Sequence, residues 1–114
     1  MPGDGAGRLA GAIGLCRKAG KLIIGTESVC EAVAGGKKPC AVLLANDNAP
    51  NTDRKVRNKC AYYGVRLLQL PLDGETLAHA VGKTSHTAAV AVTDGNMLRL
   101  VGGLIGQETD VPPR

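Results

Sequence analysis

The side chains that could carry covalent chemistry are few and scattered. Four cysteines (Cys16, Cys30, Cys40, Cys60) and two histidines (His79, His86) are the candidate nucleophiles, bases and metal ligands. A nucleophile needs a base within hydrogen-bond reach, and a structural zinc site needs ligands at short regular spacing. The cysteines lie far apart, with no C-x-x-C pair and no Cys/His cluster. The chain holds no G-x-S-x-G, Walker loop, G-x-G-x-x-G or H-E-x-x-H. These residues therefore read as reduced, mostly buried thiols, a helix-surface His79 and a loop His86. The expectation is a protein that is not an enzyme and needs neither metal nor cofactor.

A different chemistry, recognition of a polyanion, has better support. In Gly25-Thr26-Glu27-Ser28 a glycine precedes a helix start, where a nucleic-acid backbone can approach free N–H groups at the positive end of the helix dipole. The same residues also suit an ordinary helix cap. From Arg8 to Arg66 there are eleven Lys/Arg against four Asp/Glu, whereas the remainder has three against six. Lys21, Lys37-Lys38 and the helix face Arg54, Lys55, Arg57, Lys59 could neutralise phosphates, although any solvated helix face shows a similar pattern. Phe and Trp are absent and Tyr62-Tyr63 are the only aromatics, which excludes the multi-ring stacking platforms of RRM, OB or cold-shock modules.

The elements that must position these residues follow from periodicity. Leu9, Ala12, Ile13 and Cys16 recur at helical spacing over Arg8 to Ala19, and Gly20 stops the helix. Lys21 to Ile24 is a short extended run, and the helix after Gly25-Thr26 carries Val29, Ala32 and Val33 on one face. Ala41 to Ala45 is a continuous apolar run, as expected of a strand buried on both faces, and 46–51 is the loop after it. Thr52 to Tyr63 is a helix with Val56, Cys60 and Tyr63 inward. Val65 to Leu70 is a strand, Asp73 or Thr76 opens a short helix ending near Gly82, and Thr87 to Thr93 is a fourth strand. Asp94-Gly95 allows a hairpin or a last helix, of which the helix is preferred.

At 114 residues this is one domain, able to bury about two-thirds of its unfolded surface without disulfides. The expected boundaries are a disordered tail at 1–6, a single domain at 7–106 and a second tail at 107–114. No stretch approaches the ~20 apolar residues of a membrane span, and the start lacks the basic and apolar regions of a signal peptide. The expectation is a cytoplasmic chain with no membrane association.

Three segments in this order resemble one superfamily: Ala19-Gly20-Lys21-Leu22-x-x-Gly25-Thr26, Ala41-Val42-Leu43-Leu44-Ala45-Asn46-Asp47, and Ala80-Val81-Gly82. The chain is similar to the kink-turn-binding ribosomal proteins. Within them, Asn51-Thr52-x-x-Lys55-Val56-x-x-Lys59-Cys60-x-Tyr62-Tyr63 and Ala89-Val90-Ala91-Val92-Thr93-Asp94 resemble the bacterial YlxQ-type ribosomal-protein-like branch. The likeness runs from about Arg8 to Ile105. It implies an α/β fold, a three-layer α/β/α sandwich around a four-stranded mixed sheet. It also implies binding of structured, kink-turn-like RNA by a monomer associated with the ribosome.

The resemblance places the RNA surface on three segments: Gly25 to Glu31, Asp47 to Asn51, and Lys83 to His86. The implied contacts are Gly25, Thr26, Glu27, Ser28, Glu31, Asp47, Pro50, Asn51, Lys83, Thr84 and Ser85, to which the charge distribution adds Lys21, Lys37 and Lys38. The family's helix-opening motif is Gly-x-Asn-Glu-x-x-Lys. Here its glycine is Gly25, and Glu27, Ser28 and Glu31 stand where the family has Asn, Glu and Lys. The alternative function is a protein-interaction module on the same fold that has lost kink-turn affinity.

Overall fold

The computed structural model describes the backbone of residues 2–109 and the side chains of residues 7–105. Nine elements follow in order: α1 (Pro2–Lys18), β1 (Leu22–Ile24), α2 (Thr26–Ala34), β2 (Ala41–Leu44), α3 (Pro50–Tyr63), β3 (Leu67–Gln69), α4 (Gly74–Ala80), β4 (Ala89–Val92) and α5 (Gly95–Thr109). Helices α1 and α5 extend into the stretches expected to be tails. The reading of 1–6 and 107–114 as disordered falls on residues whose side chains lie outside the described set.

The sheet order is β1-β4-β2-β3. Strand β4 inserts antiparallel between β1 and β2, while β2 and β3 are parallel, so the sheet is mixed. Every residue of β2 and β4 is buried, because both strands are central and both faces are covered. Alternation then divides the core in two. Val42, Leu44, Ala89 and Ala91 meet Val29, Cys30, Val33, Val56 and Cys60 from α2 and α3. Leu43, Ala45, Val90 and Val92 meet Leu9, Ile13, Cys16, Leu77, Val81, Val101 and Ile105 from α1, α4 and α5. This is the expected three-layer α/β/α sandwich.

Local chemistry sets the element ends. Helix α3 begins at Pro50, two residues before the expected start, because proline's fixed φ and missing N–H suit the first helical turn. It stops at Gly64 in the left-handed conformation (φ 72°), whose N–H bonds the Cys60 carbonyl. Val65 is still tied to that helix end through its N–H to Cys60, which shortens β3 at its start. Of the two expected openers of α4, Asp73 is the one that acts: its carboxylate accepts from the Thr76 N–H at 2.7 Å. Asp94 accepts from the Met97 N–H at 3.1 Å and turns the chain into α5, the helix that was preferred over a hairpin.

Candidate nucleic-acid interface

Topology brings the three expected segments to one end of the sheet's strands. Strands β1 and β2 both run opposite to β4, so the chain leaves β1 and β2 at the same end at which it enters β4. The Gly25 N–H donates to the Ala89 carbonyl (3.0 Å), and the Ala45 N–H to the Ala88 carbonyl (2.9 Å). Between these segments lies a cleft of about 480 Å³, lined by Gly25 and Thr26, by Asp47, Asn48, Ala49 and Thr52, and by Lys83 and Ser85 to Ala88. Its volume falls within the roughly 300–1,000 Å³ of small-ligand sites, so it can take part of a nucleotide and not a duplex.

One wall of the cleft is a helix start without a lid. Gly25 caps α2 with φ 103° and ψ 144°, a backbone conformation that L side chains rarely adopt, and no side chain caps the helix. The first helical bond runs from the Val29 N–H to the Gly25 carbonyl at 2.9 Å. The N–H groups of Thr26, Glu27 and Ser28 precede it and project from the positive end of the dipole. A Cβ at Gly25 would meet nothing within 4 Å, so glycine serves backbone conformation here and leaves open space above the donors.

The opposite wall is held by Asp47. Its Oδ1 accepts from the Gly74 N–H at 2.8 Å and contacts His86 Nε2 at 3.0 Å, joining the β2–α3 loop to the start of α4 and to the loop before β4. The Gly74 N–H and then the His86 imidazole hold this carboxyl below its ordinary range. The His86 ring lies so close over Gly74 that any Cβ there would overlap it. Asn48 donates from Nδ2 to the Ala88 carbonyl at 3.1 Å, while its Oδ1, shielded from solvent, has no hydrogen-bond partner among the described residues.

Of the expected contacts, Gly25, Thr26, Asp47, Lys83 and Ser85 line the cleft. Glu27 and Ser28 are exposed on the first turn of α2, Glu31 on the next, Pro50 and Asn51 at the start of α3, and Thr84 in the loop between Lys83 and Ser85. Three lysines are not brought to this end. Lys21 precedes β1 and its carbonyl accepts from the Thr93 N–H, at the far end of β4. Lys37 and Lys38 precede β2, at that same far end. Lys38 is also occupied: its ammonium donates to the Val33 (2.9 Å) and Gly35 (2.8 Å) carbonyls at the end of α2 and lies 4.8 Å from the centre of the Tyr63 ring. Charge counting grouped these lysines with the site because it is blind to strand direction.

Asn48 and His86 fall inside the expected segments without being singled out as contacts, and Thr52 lies outside them. The Asn46-Asp47-Asn48 run was a local signal for the first. His86 meets Asp47 across 39 residues, and no periodicity reports such a contact. The cysteines behave as buried packing groups in three positions, with Cys40 exposed. Burial, and then Cys30, pushes the Cys60 thiol up to about 11, and burial also raises Cys16, so both stay protonated and poorly nucleophilic.

The model of the ribosomal protein L7Ae/L30e/S12e/Gadd45 family matches residues 8–101. The chain belongs to this family. Among its relatives is the RNA-binding protein YlxQ of Enterococcus faecium, 38% identical over 71 residues (62% of this chain and 67% of that protein). The RNA-binding protein YlxQ of Bacillus subtilis (strain 168) is 33% identical over 82 residues (72% and 79%). The expected place near the YlxQ-type branch therefore holds. A solved structure of a protein of unknown function from Bacillus halodurans superposes with TM-score 0.75 at 28% identity, covering 86% of this chain and 96% of that one. The Giardia lamblia 15.5kD RNA binding protein, at TM-score 0.72 and 16% identity over 91% of this chain and 87% of its own, shares the fold.

Proposed function

We propose that this chain is a non-catalytic RNA-binding protein of the ribosome-associated kind, which grips a sharply bent, kink-turn-like RNA at the cleft between Gly25, Asp47 and Ser85. One observation carries the reading: three loops meet at one end of the strands beside the uncapped helix start at Thr26, Glu27 and Ser28. Such donors suit a phosphate or a base edge, and Lys83 adds a cation at the rim. The curated relatives, both described as RNA-binding, agree with it.

The exposed carboxylates Glu27 and Glu31 shape the specificity, since a carboxylate beside an RNA groove repels phosphate but can accept from base N–H groups. They are also the feature favouring the second reading, a protein-interaction module, because a basic protein partner would be attracted to them.

The two are separated by titrating a labelled kink-turn RNA and a straight duplex of equal composition, over a range of salt, with the native chain and with Ser28→Glu/Glu31→Lys. The native chain should prefer the bent RNA and weaken steeply as salt rises. The double substitution should tighten kink-turn binding about tenfold, the equivalent of one good base contact. A folded double variant that binds no tighter, together with a native chain that fails to distinguish bent from straight RNA, would overturn the RNA reading in favour of a protein partner.

A further inference from the structure

One flank of α3 remains outside the cleft just described. Thr52, Lys55, Lys59 and Tyr62 follow one another at spacings of three, four and three, which places them on a single stripe of the helix. The stripe begins in the cleft, since Thr52 lines it. It ends about 15 Å further along the axis at Tyr62, at the rise of an α-helix. Lys55 is exposed and Lys59 half-buried, and among the described residues neither ammonium has a carboxylate within ion-pair distance. The other flank of the helix is different: Arg57 is engaged by Asp53 at 2.7 Å and by Gln69 of β3.

Tyr62 is the unusual member. It is 82% exposed, the most exposed large hydrophobic side chain among the described residues. It is nevertheless braced, because its ring meets Tyr63 edge-on with centroids 4.8 Å apart. Tyr63 in turn packs against the core and lies beneath the Lys38 ammonium, which is anchored on the end of α2. The consequence is an aromatic ring supported from one side and open on the rest. Holding such a ring in water contributes little to folding, whereas a positioned ring after two cations has the components of a single-strand track: phosphate neutralisation followed by base stacking.

We infer that the Thr52–Lys55–Lys59–Tyr62 stripe is a second RNA subsite, which receives a single-stranded segment leaving the RNA held in the cleft and stacks one of its bases on Tyr62. The inference rests on the RNA reading of the cleft. Stacking on a lone ring is tolerant of base identity, so the subsite selects for an unpaired flank and not for its sequence. Lys38, expected to touch RNA, acts here as a positioning residue that steadies Tyr63 and through it Tyr62.

The test compares a blunt kink-turn RNA with the same RNA carrying a single-stranded uridine extension of about six nucleotides at its 5′ or its 3′ end. Affinity is measured by labelled-RNA titration. Stacking is followed by tyrosine emission, which reports on this spot alone because the chain has two tyrosines and no tryptophan. An extension at one of the two ends should bind about fivefold or more tighter than blunt RNA and quench the emission. Tyr62→Ala should remove that gain while leaving blunt-RNA affinity unchanged, Tyr62→Phe should retain it, and Lys55→Gln/Lys59→Gln should reduce it. If blunt RNA binds but neither extension adds affinity, or if the gain survives in Tyr62→Ala, the subsite is refuted and the cleft reading stands. If no form of the RNA binds, both fall together.

Discussion

Gly25 is where the backbone conformation and the proposed RNA contact coincide, and Gly25→Ala separates them. At φ 103° and ψ 144° the residue occupies a region nearly reserved for glycine. An alanine Cβ would meet no atom within 4 Å, so packing adds nothing to the effect and the whole penalty is backbone strain. Strain of this kind is worth about 1–3 kcal/mol. At about 4–8 °C per kcal/mol for a domain of this size, the melting temperature should fall by roughly 5–20 °C. Urea unfolding followed by far-ultraviolet circular dichroism should give the same loss with an unchanged m value. A D-alanine at position 25, introduced by chemical ligation, is a useful control: it accepts positive φ, so it should lose less stability than the L-alanine variant. Kink-turn binding, measured on fully folded protein at low temperature, should weaken in the L-alanine variant, because relaxing φ reorients the Thr26, Glu27 and Ser28 donors. An L-alanine variant as stable as the native chain would refute the strain argument.

Two further outcomes follow from titration and burial. Asp47 and Asp73 are held below the ordinary carboxylate range, the first chiefly by the Gly74 N–H and the second chiefly by the Thr76 N–H. Their contribution to stability is therefore present above the unfolded pKa of about 3.9 and is lost as pH falls through the folded values. Urea midpoints should drop below about pH 4. Asp73→Asn, which keeps a cap but cannot titrate, should show a shallower acid limb, and an acid limb identical to the native one would contradict the assignment. Cys16→Ala with Cys60→Ala should destabilise by about 1–3 kcal/mol through lost packing, without a selective loss of RNA affinity. In the native chain a thiol reagent should modify Cys40 well before the three buried cysteines, and early reaction of Cys60 would argue against its burial.

The layered α/β architecture was legible along the chain because each element announces itself locally. A continuous apolar run over Ala41 to Ala45 means a strand covered on both faces, and Val56, Cys60 and Tyr63 at helical spacing mean one inward helix face. Gly25 before a helix start was readable for the same reason, whereas the lack of a side-chain cap there is shown only by the structure. The identities at Glu27, Ser28 and Glu31 were likewise plain in the sequence, and so was their departure from the pattern that the chain resembles.

Strand direction and long-range contact were decided only by the fold. The insertion of β4 between β1 and β2 puts Gly25, Asp47 and Ser85 at one end of the strands and sends Lys21, Lys37 and Lys38 to the other, although all three lysines looked equally available as charges. The Asp47–His86 contact and the unpaired Oδ1 of Asn48 depend on where loops distant in sequence come to rest. The bracing of Tyr62 by Tyr63, and of Tyr63 by Lys38, requires the end of α2 to meet the end of α3. Periodicity and capping are interactions over a few residues, so the amino-acid order alone determines them. A binding surface assembled from three loops and a helix flank is a property of the topology that joins them.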